Sequence, residues 1–220
     1  MAYGIDALLN ATTPDTTVFA QANEFLAAFA AMEAGTAELS QLILGVYHAH
    51  AAEVPAFATL AARHPEYPTA GYFLDLALHV VNRREPLLAC AGALGWSEEN
   101  LRNEQAPDGM RAYGDFMTWL AMRAGPAEAA CTLRAEQLLW CSAASALAEV
   151  LRGLKHQLPD PVTQYFAAVP AVPDRFLRGA REAAAFGLAH GESPAMIEHT
   201  VTQVEPLLTD FWSAALQVAG

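Results

Sequence analysis

The 220-residue chain is 54% hydrophobic, so it can bury a sizeable core and does not have a disordered composition. Acidic residues outnumber basic ones by 24 to 12, and the net charge of −12 argues against nucleic acid or an anionic membrane as a partner, because both attract positive surfaces. The N-terminus lacks the basic segment and long apolar run of a signal peptide, and no apolar stretch is long enough to cross a bilayer.

Alanine and leucine dominate the sequence, β-branched runs are short and Asn-Gly hairpin turns are absent, which predicts an all-helical protein. Capping residues, glycines and prolines divide the chain into segments. The long predicted helices cover about 15–35, 37–64, 69–94, 108–124, 127–154, 174–190 and 193–218. A further helix is predicted to begin at 97, and a short one lies within 156–176.

Pro55 and Pro86 fall inside the second and third predicted helices, where each should cause a kink because proline removes a backbone hydrogen bond. No internal repeat and no domain-sized change in composition divides the chain. We therefore predict a single all-α domain over residues 1–220.

The three cysteines, Cys90, Cys131 and Cys141, are odd in number, form no Cys-x-x-Cys motif and have apolar neighbours. This pattern is typical of reduced thiols, so we expect a cytoplasmic protein. Cys141 has no base close to it in sequence, and a small buried hydrophobe is the simpler interpretation of it.

Two histidines of the second predicted helix could belong to a binding site. His48 and His50 are two residues apart, about 200° around a helix, so at most one of them can face the core. His50 is three residues from both Tyr47 and Glu53 and could share a face with either. A solvated or simply hydrogen-bonded histidine is the alternative for each.

Asp75 and His79 are four residues apart on the third predicted helix, a spacing at which a carboxylate and an imidazole can hold one metal ion. The apolar stripe of this helix runs through Phe73, Ala77 and Val80, so the pair lies at its edge. A solvated helix face is the alternative.

The fifth predicted helix carries a carboxylate within its apolar stripe. Glu136 continues the 3–4 spacing of the apolar residues Leu133, Trp140, Ala143, Leu147 and Leu151. A buried carboxylate must be paired, bound to a metal or protonated, because an isolated buried charge is too costly. Glu136 is therefore a candidate base or ligand, and an ion pair with Arg83 or Arg134 is the structural alternative.

Four passages of the chain carry a family resemblance through their order: "ELSQLILGVYHAHAAEVPAFATLAARHPE", "EPLLACAGALGWSEENL", "RAYGDFMTWLAMRAGPAEAACTLRAEQLLW" and "VEPLLTDFWSAAL". Over residues 39–216 the chain resembles the TenA/thiaminase II family and its relatives, pyrroloquinoline-quinone synthase and the haem-oxygenase-like diiron oxidases. The resemblance implies a haem-oxygenase-like (TenA-like) helical bundle. It also implies a homo-oligomer, since such proteins are often dimers or tetramers.

TenA hydrolases have an acid on the second helix, a cysteine nucleophile on the fifth helix and a glutamate three residues before the final Phe-Trp. Val46, Glu136 and Leu208 stand at these positions here, and Cys141 reaches the nucleophile position only after a shift of several residues. Because the nucleophile and its acid–base partner act together, aminopyrimidine hydrolysis in thiamin salvage is an alternative that we do not favour.

The diiron relatives also have a glutamate on the fifth helix, a position that Glu136 fits. They further need a Glu…His pair on the third helix, where Arg83 stands near the histidine position, and a late histidine-rich run that this chain lacks. A reduced iron site built from His79, Asp75 and Glu136 is the metal alternative. The similarity to pyrroloquinoline-quinone synthase, a metal-free oxidase lined by histidines and arginines, is at the level of the fold.

The main interpretation is a small-molecule enzyme or binder of the TenA/pyrroloquinoline-quinone-synthase group, with a pocket between the second, third and fifth helices. Glu136 is the expected catalytic group. The expected pocket-lining residues are Tyr47, His48, His50, Tyr113, Asp115, Phe116, Trp140 and Cys141. The cofactor is left open: the main interpretation requires none, and iron belongs to the oxidase alternative. A non-catalytic oligomeric scaffold is a further alternative.

Overall fold

The computed structural model describes residues 4–154, 157–169 and 171–217. All regular structure in these ranges is α-helical. The helices are α1 (Ile5–Ala11), α2 (Thr16–Ala22), α3 (Glu24–Ala30), α4 (Thr36–Arg63), α5 (Thr69–Ala93), α6 (Glu98–Asn103), α7 (Asp108–Arg123), α8 (Pro126–Gly153), α9 (Asp160–Ala167), α10 (Asp174–Ala189), α11 (Pro194–Val201) and α12 (Val204–Ala214).

The long helices form a bundle around one core. α4 packs along α5 and α7, α8 packs along α10, and α12 closes the bundle against α7 and α8. α9 lies between α5 and α8. Aromatic side chains fill the centre, where Phe25 of α3 contacts Phe29 with ring centroids 4.8 Å apart and Trp212 of α12 at 5.6 Å.

The long helices predicted from the sequence are confirmed as α4, α5, α7, α8 and α10, with ends within about two residues of the prediction. Gly95 ends α5 as expected, because its φ of +91° is a left-handed conformation that favours glycine. α4 and α5 continue through Pro55 and Pro86. Both prolines are exposed, so water can bond to the carbonyl group that each leaves free.

The extent of the first predicted helix is wrong. Asp15 does begin a helix, since its carboxylate accepts hydrogen bonds from the Thr17 and Val18 amides at 3.1 and 3.0 Å. However, Asn23 has an extended backbone, and its side chain accepts from the Leu26 amide at 3.1 Å. Asn23 therefore ends α2 and caps α3, and the preceding helix α1 was not predicted.

The last predicted helix is also two helices, because Thr202 and Gln203 separate α11 from α12. Its predicted end at Val218 lies outside the described residues. Cys90, Cys131 and Cys141 are free thiols. None of the helices in the described ranges combines the length and apolar character that a bilayer crossing requires.

Candidate functional site

An internal cavity of about 120 Å³ lies inside the bundle. Most of its wall comes from α4, α5, α7, α8 and α12, and the connection between α9 and α10 completes it. The apolar part of the wall includes Val46, Phe57, Leu76, Val80, Trp140, Val172, Phe176, Leu208 and Phe211. The polar part consists of His50, Glu53, His79, Arg83, Tyr113, Glu136, Gln137, Cys141 and Tyr165. A mainly apolar space with a few converging polar groups is typical of a small-molecule site.

Two glutamates and a tyrosine form a linked group at this cavity. The Tyr113 hydroxyl of α7 donates a hydrogen bond to Glu53 Oε1 of α4 at 2.7 Å and also hydrogen-bonds to the carboxyl group of Glu136 on α8. Burial raises the pKa of Glu53 from 4.5 to about 7, although the bond from Tyr113 acts in the opposite direction. Burial and the neighbouring Glu53 raise the pKa of Glu136 well above its usual range.

The single hydrogen of the Tyr113 hydroxyl limits what it can do for the two carboxyl groups. Tyr113 gives this hydrogen to Glu53. Glu136 can accept the same hydrogen in turn, and this contact acts against the raised pKa of Glu136. Burial favours the protonated form of Glu136, and Glu53 titrates near neutrality.

No guanidinium clamps Glu136 in the described part of the chain, although the sequence left an ion pair open. Arg134 points away and donates to Leu9 O at 3.5 Å and Thr13 Oγ1 at 3.1 Å. Arg83 donates to main-chain carbonyl oxygens of the α9 end. Burial therefore raises the pKa of Glu136 and favours its protonated form, which reduces the cost of enclosing it.

A second polar set of the cavity is basic in character and consists of His50, His79 and Arg83. Burial and the positive charge of Arg83 lower the pKa of His50 from 6.5 to about 4, and the same two causes lower the pKa of His79. The ring of His79 packs edge-on against Phe176 at 5.2 Å. Both imidazoles are therefore neutral at physiological pH.

The structure brings five of the sequence-predicted site residues to the cavity wall: Glu136, His50, Tyr113, Trp140 and Cys141. Burial and the nearby Glu136 raise the pKa of the Cys141 thiol to about 12, whereas Arg83 acts in the opposite direction. A thiol of this kind stays protonated at neutral pH and is a weak nucleophile.

The other predicted pocket residues lie elsewhere, because helix geometry turns them away. His48 faces away from His50, and its Nε2 lies 3.0 Å from the carbonyl oxygen of Glu104. Tyr47 is half-buried and packs edge-on against the His48 ring at 5.6 Å. Asp115, two residues after Tyr113, is exposed.

Phe116 does not line the main cavity either. Its ring stacks on Trp119 with centroids 5.8 Å apart. It borders a much smaller cavity of about 10 Å³ behind Tyr113 and Glu136, where the buried Thr132 hydroxyl has no hydrogen-bond partner.

The metal alternative would need His79, Asp75 and Glu136 together, and the structure does not bring them together. His79 and Glu136 line the cavity, but Asp75 is exposed on α5. In residues 4–154, 157–169 and 171–217, no three histidine, cysteine, aspartate or glutamate side chains converge in a way that could hold a metal ion.

Sequence reasoning did not select Glu53 and Arg83 as site residues. The signal for Glu53 was present, because Val46, His50, Glu53 and Phe57 recur at intervals of three or four and line one side of α4. Arg83 had a weaker signal, since it is four residues after His79 on the same face of α5.

The three positions that correspond to hydrolase groups in the TenA resemblance, Val46, Glu136 and Leu208, all line the cavity. Val46 and Leu208 are aliphatic, so of these three positions only the one that corresponds to the nucleophile carries a carboxyl group, that of Glu136. The other carboxyl group of the cavity, Glu53, lies two helical turns after Val46 on α4.

The sequence matches no protein-family model, and no curated protein matches it significantly. The structure is similar to a TenA homologue from P. horikoshii OT3, with a TM-score of 0.71 and 15% identity over 98% of this chain and 99% of that one. It is also similar to a TenA homologue from Pseudomonas syringae pv. tomato, with a TM-score of 0.69 and 10% identity over 96% of this chain and 92% of that one. At these identities the likeness shows the fold, so the predicted all-α, TenA-like helical fold is confirmed.

Proposed function

We propose that this protein binds a small organic molecule in the cavity and carries out acid–base chemistry on it, as an enzyme of the TenA/pyrroloquinoline-quinone-synthase type. The observation that supports this most directly is the pair of enclosed carboxyl groups, Glu53 and Glu136, joined through Tyr113 at the cavity wall. Enclosed carboxyl groups with raised pKa values are costly to maintain and are typical of functional sites.

The chemistry of the pair suits proton transfer in either direction. A general acid or base works best when its pKa is close to the operating pH, and the pKa of Glu53 is about 7. Glu136 holds a proton that it can give through Tyr113, while Glu53 can accept one. Trp140, Phe57 and Phe211 would contact the apolar body of the bound molecule.

The alternatives have less support. Thiol-dependent hydrolysis is disfavoured because burial keeps the Cys141 thiol protonated. Iron-dependent oxidation lacks a converging donor set among the described residues, since Asp75 is exposed. A purely structural scaffold does not account for a cavity that both carboxyl groups face.

Glu136→Gln tests the proposal, because glutamine keeps the shape of the side chain and cannot exchange a proton. Ligand-observed NMR with the one-ring probes benzylamine, benzamidine and benzyl alcohol measures binding. We expect the cationic amine and amidine to favour the ionised form of Glu136 when they bind wild-type protein, and Glu136→Gln to weaken both by about tenfold or more, because glutamine cannot supply the negative charge. Glu149→Gln is the control, since Glu149 lies on the exposed face of the same helix and pairs with Arg152.

Unchanged probe affinity together with reduced thermal stability in Glu136→Gln would leave Glu136 with a structural role only. The expected homo-oligomer stays a prediction that follows from the resemblance. Light scattering coupled to size-exclusion chromatography measures it, and a monomer at every concentration would contradict it.

A further inference from the structure

Arg83 brings a positive charge to the cavity without a carboxylate partner in the described part of the chain. Its guanidinium donates to the carbonyl oxygens of Tyr165 and Ala168 at 3.1 and 3.2 Å, and it lies over the Tyr165 ring at 4.6 Å from the centroid. These contacts hold the Arg83 guanidinium at the C-terminal end of α9. Carbonyl oxygens and a ring face carry no net negative charge, so the charge of Arg83 stays uncompensated.

The histidines next to Arg83 add hydrogen-bond donors to the same side of the cavity. His50 and His79 both line the wall, and burial, together with the charge of Arg83, lowers the pKa of both imidazoles. A neutral imidazole carries one N–H donor and no charge. The Nδ1 atom of His50 is enclosed without a partner, which leaves the hydrogen bonding of this buried ring incomplete in the protein itself.

The cavity therefore has two polar sets of opposite character. Glu53 raises the pKa of Glu136 in one set, and Arg83 lowers the pKa of His50 and His79 in the other. Cys141 lies within the electrostatic reach of both sets, since Glu136 and Arg83 act on its thiol in opposite directions. A ligand that extends from one set to the other would meet a cation and N–H donors at one end and carboxyl groups at the other.

The size and lining of the cavity limit the body of the ligand. A dry protein cavity of about 150 Å³ accommodates benzene, and this cavity, at about 120 Å³, is somewhat smaller. The aromatic residues Phe57, Trp140, Phe176 and Phe211 surround the space, and aromatic walls favour a flat partner. One planar ring is therefore the largest body that we expect, and its short substituents can extend toward the partly open side of the cavity.

We infer that the ligand is a one-ring amphoteric compound, with a carboxylate bound by Arg83, His50 and His79 and an amino group or other protonatable nitrogen at Glu53 and Glu136. This inference rests on the proposed function, since it names the class of molecule that the same site takes. Arg83 has a specificity role in it: it selects ligands with a carboxylate from those with a nitrogen group alone.

Four probes of one ring size separate the two ends of the site: benzoate, benzylamine, 4-(aminomethyl)benzoate and benzyl alcohol. Affinities come from ligand-observed NMR titration of wild type, Arg83→Gln, Arg83→Lys and Arg84→Gln. Arg84 is the matched control, because it is an exposed arginine next to Arg83 on α5 that pairs with Glu98 and is not part of the cavity wall.

We expect wild type to bind 4-(aminomethyl)benzoate most tightly. Arg83→Gln should weaken benzoate and 4-(aminomethyl)benzoate by about tenfold or more and leave benzylamine within about twofold. Arg83→Lys should restore part of the carboxylate affinity, since it keeps the charge and loses the planar fork. Arg84→Gln should leave all four affinities unchanged.

Failure of either carboxylate to bind wild type at millimolar concentration overturns the inference, and so does an unchanged benzoate affinity in Arg83→Gln. If benzylamine still binds and still depends on Glu136, the proposed function survives that failure. Loss of benzylamine binding in Arg83→Gln points to disturbed packing of α9 and also overturns the specificity role. Wild-type protein that binds none of the probes counts against both proposals.

Discussion

Glu53 and Glu136 are unusual because a single tyrosine serves two carboxyl groups. Tyr113 can donate only one hydrogen, so the two carboxyl groups compete for it. This shared arrangement makes the ionisation of each group depend on the other, and titration will report apparent values for the pair. The pH dependence of this site therefore originates in these two side chains.

Glu53→Gln should change how stability varies with pH. The native pKa of Glu53 is about 7 and its unfolded value is 4.5, so between these pH values the native protein holds a proton that the unfolded chain has released. Stability therefore falls as the pH rises through this window, by up to about 3 kcal/mol. Glu53→Gln removes this contribution, and urea unfolding of both proteins from pH 4.5 to 8 measures the difference.

The wild-type stability curve must be compared with that of the Glu53→Gln variant, because a pH-dependent contribution also comes from His50. Its pKa is lowered from 6.5 to about 4, so its contribution to stability is lost as the pH falls through that range, opposite in sign to Glu53. The wild-type curve alone would mix both contributions. Glu149→Gln, on the exposed face of α8, serves as the control. Parallel wild-type and Glu53→Gln curves would contradict the assignment.

Tyr113→Phe should raise the pKa values of both glutamates further, because the bond from Tyr113 lowers both. The variant should also lose about 1–3 kcal/mol of stability, since it leaves buried carboxyl oxygens without a donor. Infrared spectroscopy of the protonated carboxyl band as a function of pH measures the shift. Tyr67→Phe is the control, because Tyr67 is 85% exposed. A band with the same pH midpoint in both proteins would rule out the link through Tyr113.

At the scale of elements, the junction between α8 and α10 is the closest approach that the fold requires. A Cβ atom on Gly187 of α10 would lie 2.6 Å from the Ala127 amide nitrogen and 2.5 Å from its Cβ. Next to this contact, the Glu192 carboxylate accepts hydrogen bonds from the Ala127 and Glu128 amides at 2.8 and 3.0 Å. This anchors the N-terminal end of α8, the helix that carries Glu136.

Gly187→Ala should therefore destabilise the protein by about 1–3 kcal/mol, as overpacking against backbone does. Gly92→Ala is the matched control, since Gly92 also lies within a helix and has no neighbour within 4 Å of an added Cβ. It should stabilise the protein by about 0.5–1 kcal/mol, because alanine favours the helix. Chemical denaturation compares the two, and equal effects would refute the close approach.

The elements also explain how far the sequence alone could predict this molecule. Long helices such as α4 and α8 follow from apolar spacing and from terminal glycines and prolines. The break at Asn23 was missed because a side-chain cap, not a glycine or proline, causes it. Glu136 could be selected because its own helix places it among apolar residues. Glu53 shares a face of α4 with His50, but its spacing alone does not show that it is enclosed, because the enclosure depends on Tyr113 from a helix sixty residues later.

At the scale of the whole molecule, the helices are too interconnected to divide. α8 contacts α2, α3, α9, α10, α11 and α12, and α1 near the start of the chain packs on α10 near its end. We expect one unfolding transition in scanning calorimetry, with equal calorimetric and van't Hoff enthalpies. Protein concentration must be held constant, since association would shift the midpoint. Two resolved transitions would contradict a single domain.

The cavity inside the bundle also has a mechanical consequence. Imperfectly filled space gives a folded protein a larger volume than its hydrated unfolded chain, so compression favours unfolding. With a cavity of about 120 Å³, this protein should unfold at a lower hydrostatic pressure without a ligand than with one. A molecule that fills the cavity should raise the midpoint pressure of unfolding together with the melting point, because both follow from its preference for the folded state.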